Sequence, residues 1–338
     1  MRIRLIVLAL VGFAPLAPQA TAQDNRRVVI RDTVRRVTSG YQGHNRGPEQ
    51  TEPFSRKIKL GRDGRVSISN IAGEIVVTGG WGDGVSIEAV KRTRGDRSEL
   101  SRMQIRVDER GGRVDVRTEQ SGRTTRAWVD YTVTVPTSTS VDLHSYSGDV
   151  RVSNVHGAVR LETISGNVMT SGVPHVEAAK SVSGNVDLAD TSVDGDLVAT
   201  TLSGHVRARG VTARGLQLGS VSGNVTVSDV HCDRVDVKSV SGNVEFAGTL
   251  TKSGRYDMHS HSGTIRLTLS GNTGFELNAS SFSGSVRSDL PLVLGPTSAR
   301  NDRRRPGPSH ATRAVFGDGS AVLTLRTFSG DIVITNGK

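Results

Sequence analysis

The hexapeptide Ser239-Val240-Ser241-Gly242-Asn243-Val244 constrains the fold more than any other feature, because it recurs almost unchanged from Ser220 to Val225 and from Ser181 to Val186. Looser copies begin at Ser145, Thr163, Thr201, Ser260, Ser281 and Thr327. From Ser147 to Ser283, successive Ser-Gly pairs lie 18 to 21 residues apart. A unit this short cannot bury an apolar face alone; it gains one by stacking on copies of itself. The sequence therefore predicts an all-β, single-domain β-solenoid, parallel β-helix-like, with one repeat per coil.

Each repeat reads as two short strands flanking Ser-Gly. Four and six residues before the second Ser of the motif come apolar pairs such as Val235 and Val237 or Leu216 and Leu218. Three and five residues after it come Val225 and Val227, Val244 and Phe246, or Ile265 and Leu267. A spacing of two marks a strand with one buried face. The parity changes between the two sets, so a bend must separate them. Placed before Ser222, the bend puts Leu216, Leu218 and Ser220 inside together with Val221, Val225 and Val227. On this reading the column Tyr146, Ile164, Val182, Leu202, Val221, Val240, Phe282 and Phe328 faces the core, with His261 as its polar member. Gly suits such a bend, and the Asn or Asp after it can hydrogen-bond at the turn. Glu177 falls on an inward position; a one-residue slip after Pro174 would return Val176 to the core.

Outside the array the chain changes character. Residues 1 to 22 read as a secretory signal peptide: Arg2 and Arg4, an apolar run from Leu5 to Phe13, then Ala20-Thr21-Ala22 as a cleavage site. Residues 23 to 54 read as a flexible basic arm with Arg26, Arg27, Arg31, Arg35 and Arg36. The domain proper is expected from 55 to 338. Its first part, to about Val135, has strands of irregular period and reads as an N-terminal β cap over the open end of the core. Residues 290 to 318 read as an inserted loop, rich in Arg and Pro, with Arg303, Arg304 and Arg305; the last repeat, Thr327 to Ile334, is expected to close the array.

Composition limits the partners. The formal charge is +10 over 338 residues, and removal of Arg2 and Arg4 leaves +8. On an exported protein that sign favours envelope polysaccharide or an anionic lipid surface over nucleic acid. No stretch beyond the signal is apolar and long enough to span a bilayer. The single cysteine, Cys232, excludes an internal disulfide framework and is expected to be buried in a turn.

Catalytic readings are weak. Asp194-Gly195-Asp196 is the best carboxylate pair, and paired carboxylates can cleave glycosidic bonds, but the tripeptide also describes a solvated turn. His259 and His261 share a strand face, yet two ligands do not make a zinc site. The column after Gly holds Asp149, Asn167, Asn185, His205, Asn224, Asn243, Thr264, Ser285 and Asp331, too few of them charged to load a row of calcium ions. No catalytic residue, cofactor or metal is expected.

The run Val129-Asp130-Tyr131-Thr132-Val133-Thr134-Val135-Pro136, then Val141-Asp142-Leu143, then repeated Ser-Gly-Asp/Asn-Val, resembles the bacterial putative-adhesin family, a domain of unknown function built of β-strand repeats. The resemblance spans roughly 55 to 338. It implies an exported or envelope-associated β-solenoid in the periplasm, at the cell surface or outside the cell, and supplies no catalytic residues. The first functional reading is a non-enzymatic envelope protein with adhesin-like binding of a surface or an anionic polymer through its Ser/Thr/Asn ladders. Arg26, Arg27, Arg31, Arg35, Arg36, Arg303, Arg304 and Arg305 would make the contacts to an anionic surface. A ligand-free spacer or envelope-stress regulator is the alternative, and a polysaccharide-cleaving β-helix enzyme the third.

Overall fold

The computed structural model describes residues 48–61, 63–122, 126–295 and 310–337; all structural statements below concern these. The repeats stack in parallel and in register. Ser220 pairs with Ser239, Val225 with Val244, and Val244 with Ile265, so equivalent positions form straight columns from coil to coil. The Val168, Val186, Val206, Val225, Val244 and Ile265 column has no solvent exposure. Val286, expected in the same column, is only half-buried, because Val286–Ser288 pairs on one side only, with Ile332–Asn336. The expected slip occurs: Val159 pairs with Val176 but Arg160 with Ala178, which buries Val176 and leaves Glu177 outside, 2.9 Å from Arg160.

Sequence order and stacking order part company at both ends. Arg65–Ala72 lies between Arg113–Gln120 and Ser140–Ser147, parallel to both, so a later segment forms the outer coil. At the other end Ala321–Ser329 does not close the array as expected; it slots between Arg255–Ser262 and Phe275–Ser283. Antiparallel strands then cover the terminal coils. Gly84–Thr93 pairs with Trp128–Pro136 and Gln50–Lys59, Met103–Arg110 with Arg113–Gln120, and His310–Phe316 with Phe275–Ser283. Two of these covers correct expected boundaries. Gln50–Lys59 begins within the stretch read as an arm, and His310–Phe316 lies within the stretch read as a loop. An edge strand needs only one apolar face, so polar residues such as Arg56, Lys57 and Arg313 are admissible there and discourage pairing with another chain.

The bend falls one residue later than the sequence reading placed it. Ser220 points inward at 5 % exposure, whereas Val221 points out at 42 %. Alternation thus runs unbroken through Val221, and the parity changes across Ser222-Gly223-Asn224. Backbone chemistry explains why. Among the described residues, the Gly carbonyl and the Asn amide at this bend receive no backbone partner from the ladder. The inward hydroxyl donates to the Gly carbonyl of the adjacent coil: Ser220 to Gly204 at 2.9 Å, Thr201 to Gly184 at 2.8 Å, Ser260 to Gly242 at 3.0 Å. The Asn amide N–H donates to the Asn side chain one coil away: Asn185 to Asn167 Oδ1 at 2.9 Å, Asn243 to Asn224 Oδ1 at 3.0 Å. His205 stands in this column and accepts the Asn224 N–H through Nδ1 at 3.0 Å. Both groups are satisfied by side chains, as enclosed backbone must be. Gly223 has φ +151°, and a Cβ on it would collide with the Gly204 carbonyl oxygen.

A second bend, closing five successive coils, is set by Asn154, Gly172, Asp190, Gly210 and Asp229, all with φ between 51° and 62°. It is followed by inward Val155, Val173, Val211 and Val230.

Adjacent residues of one motif should therefore respond oppositely to substitution. Ser220→Ala leaves the Gly204 carbonyl unpaired in a closed bend and should cost about 1–3 kcal/mol. Val221→Ser, the larger loss of hydrophobicity, should stay within about 0.5 kcal/mol. Urea unfolding of the two variants measures both, and the reverse order would mean that Val221 is inside.

Candidate functional site

The bend carries two outward columns side by side. The first is the apolar column misplaced above: Tyr146 is 62 % exposed and Leu202 51 %, with Ile164, Val182, Val221, Val240, Phe282 and Phe328 between 42 % and 49 %. His261 continues it. Its ring stacks on Phe328 with centroids 5.0 Å apart and planes 8° apart, and Phe328 stacks on Phe282 at 4.8 Å and 4°. The rings thus cover one another's faces and turn edges to solvent. The second column is Ser147, Ser165, Ser183, Ser203, Ser222, Ser241, Ser262, Ser329 and Ser283, all exposed. The hydroxyls of this second column serve no hydrogen bond within the described residues. At the N-terminal end of the apolar column an open groove of roughly 740 Å³ runs past Tyr146, Ile164, Val182 and Leu202, with His144, Glu162 and Lys180 along its rim. These rim side chains are tied to one another or to their own strand: His144 to Asp142 at 3.1 Å, Lys180 to Glu162 at 3.7 Å.

The polar ladders expected to meet a ligand are engaged in the fold instead. The inner Ser/Thr column and the Asn column hold the bend together. Ser145 is the exception in the first. Asn70 Nδ2 takes the Gly73 carbonyl at 3.2 Å, and the Ser145 hydroxyl is left buried without a partner. Asn70 belongs to a buried polar chain under the N-terminal cap: Thr118 Oγ1 lies 2.9 Å from Asn70 Oδ1 and 2.7 Å from the Tyr131 hydroxyl, whose pKa burial pushes up to about 12. The arginines expected to contact an anionic surface, Arg26, Arg27, Arg31, Arg35, Arg36, Arg303, Arg304 and Arg305, lie outside the described residues.

The catalytic candidates disperse. Asp196 is ion-paired with Arg234 at 3.0 Å and exposed, and Arg214 donates to the backbone carbonyl of Asp194. Among the described residues, no three His, Cys, Asp or Glu side chains converge on a cation-sized site. No helix among them is long and apolar enough to cross a membrane.

Two groups give solution tests. Cys232 is buried in the strand His231–Ser241, and burial raises its thiol pKa to about 11. It should resist iodoacetamide at pH 8 in the folded protein and react fully in denaturant; rapid native labelling would contradict the packing. His259 has its pKa held below 6.5, first by burial and then by the Arg326 charge. The unfolded chain therefore takes up this proton more readily. Stability should be unaffected well above pH 6.5 and decline as the pH falls through and below it. His259→Gln should flatten that decline in melts between pH 7.5 and pH 5 (ordinary His range, about 6.5).

The model of the Toastrack DUF4097 family matches the chain twice, over residues 62–209 and 177–335. No curated protein sequence matches it. Solved structures to which the chain is similar include three of low identity. A putative adhesin from Bacteroides fragilis NCTC 9343 is 16 % identical, with a TM-score of 0.43, covering 85 % of this chain and 97 % of the other. A putative lipid binding protein from Parabacteroides distasonis ATCC 8503 is 11 % identical, with a TM-score of 0.40 and the same coverages, 85 % and 97 %. A putative adhesin from Parabacteroides merdae ATCC 43184 is 10 % identical, with a TM-score of 0.39 and again 85 % and 97 %. The family model spans most of the chain, and the repeated Ser-Gly-Asn bend and parallel coils lie within it: the protein belongs to the Toastrack DUF4097 family, the putative-adhesin family of unknown function that its motif order resembles.

Proposed function

We propose that the protein is an exported, non-enzymatic component of the cell envelope or cell surface that binds an extended polymer in an adhesin-like manner. One observation carries this reading. The outer Ser column presents nine hydroxyls in a straight line, one per coil, none of them used by the fold. Parallel stacking fixes their spacing at about 4.8 Å. A rigid row of donors and acceptors at constant interval suits a ligand that itself repeats, such as a polysaccharide strand. The net charge of +10 adds attraction to an anionic polymer or lipid surface, and the arginines of 26–36 and 303–305 are the proposed source of that attraction. An oxidising compartment fits a chain with one buried cysteine and no disulfide to form.

A glycan and lipid array probed with the mature chain tests the proposal. Binding through the hydroxyls should fall at least tenfold in a Ser183→Ala, Ser203→Ala, Ser222→Ala triple variant. The arginine share should fall as the Debye length shrinks from about 10 Å at 0.1 M salt to about 3 Å at 1 M. Arg303→Gln, Arg304→Gln and Arg305→Gln together should reproduce that loss without added salt. Absence of binding to every anionic polymer on the array would overturn the proposal. So would turnover of one of them that is abolished by substituting Asp194 and Asp196.

A further inference from the structure

The apolar column points outward along its whole length, from Tyr146 to Phe328 and Phe282. It crosses nine coils, roughly 40 Å at the β-stacking interval. Its eight apolar side chains, 42–62 % exposed, present on the order of 700 Å² of surface, taking about 150–250 Å² per aromatic side chain and somewhat less per aliphatic one. The largest apolar patch on an ordinary monomer is about 300–600 Å². A continuous row of this size calls for a partner.

We propose that the partner is a second copy of this chain, docked row against row. Area favours it: the row alone approaches the roughly 800 Å² per partner that a stable protein–protein interface buries, before its polar margins are counted. Periodicity favours it as well. Only a surface with the same straight, coil-by-coil repeat can stay in contact along the whole length, and a second copy carries that surface by construction. Pairing of like rows gives an isologous, two-fold contact in which the same patch serves both subunits. The outer Ser column on one side and the Lys180 and Lys238 column on the other would form its polar rim, the usual border of an apolar interface core.

The same geometry argues against other occupants. A sugar ring stacks on an aromatic face, but Phe328 has one face against His261 and the other against Phe282. An anionic membrane needs uncompensated cations beside the apolar strip. Here Lys180 lies 3.7 Å from Glu162 and Lys238 2.8 Å from Asp236, which leaves Arg326 as the one Lys or Arg of that column without an ion pair among the described residues. The inference goes beyond polymer binding, which uses the neighbouring hydroxyls, and the two can fail separately.

Sedimentation of the mature chain in the micromolar range should give the mass of a dimer. A Val182→Glu, Val221→Glu variant should sediment at half that mass with an unchanged melting temperature, since both sites are on the surface. If that variant melts early, Tyr146→Asp at one end of the row with Phe328→Asp next to the other end gives the same readout. A Val221→Cys variant, at the centre of the row, should form an intermolecular disulfide under mild oxidation, with buried Cys232 silent in the parent protein. A wild-type chain that stays monomeric overturns the proposal, as does a dimer that survives both sets of substitutions. A monomer that binds phosphatidylglycerol vesicles and loses them on Val182→Glu, Val221→Glu also overturns it, and assigns the row to lipid. The Ser183→Ala, Ser203→Ala, Ser222→Ala variant should remain dimeric whether or not it binds polymer.

Discussion

Parallel stacking pairs backbone with backbone along the flanks of each coil, but it cannot do so where the coil turns a corner. At the Ser-Gly-Asn bend the strand ladder supplies no partner for the Gly carbonyl or the Asn amide. The inner Ser or Thr and the Asn or Asp of the motif answer that deficit. The inward Ser or Thr donates its hydroxyl to the carbonyl, and the Asn or Asp side chain of the adjacent coil accepts from the amide. A buried backbone group without a partner costs about 1–3 kcal/mol, and the deficit recurs in every coil. The motif is therefore a solution to hydrogen bonding first and to chain direction second. His205 fits this view: the column tolerates an imidazole because its Nδ1 lone pair can do what Asn Oδ1 does.

The Gly column is the steric counterpart. Its residues stack so closely that each would-be Cβ meets the carbonyl oxygen of the Gly one coil away, as at Gly166, Gly184, Gly204 and Gly223. The close approach brings that same carbonyl within reach of the Ser hydroxyl. Loss of Cβ and gain of the side-chain hydrogen bond are thus one arrangement, which is why Gly and Ser travel together in the repeat. The ends of the stack obey a different logic. A parallel coil always leaves one edge open, and antiparallel strands close it here. Weaving Ala321–Ser329 between two earlier coils brings the chain back beneath Phe275–Ser283, whose outer edge His310–Phe316 then covers.

The repeat, its period, the inward Val column and the slip at Val176 were all legible in the sequence, because each follows from spacing alone. The second bend was not. Its column alternates Asn154, Gly172, Asp190, Gly210 and Asp229, three residue types joined only by tolerance of positive φ. The order of coils at the two ends was equally hidden, since stacking is non-local and Thr327 to Ile334 reads the same wherever it inserts. Among candidate site residues, the Asp194 and Asp196 pair is solvated as expected but lies within the strand Val186–Ser203, at a register shift rather than in a turn. The apolar column was misassigned because hydrophobicity was weighed above parity. Counting by twos from Leu216 through Leu218 to Ser220 already places Val221 outside. A hydroxyl at an inward position looked less natural than a valine until the unpaired Gly carbonyl came into view.

That misassignment points to the part of the molecule that folding does not explain. The Ser inside, the Gly at the corner and the Asn beyond it are each required by the backbone, and between them they fix the direction of the residue after the inner Ser. It must face water. Nothing in the coil demands that it be apolar; Ser or Lys would satisfy the same backbone and raise solubility, and neighbouring outward columns do hold Lys180, Lys238 and Arg326. Tyr, Ile, Val, Leu, Val, Val and two Phe at this position, broken only by a His that stacks as a ring, therefore reflect a demand from outside the coil. The stability of the coil and the identity of its outer row are separable.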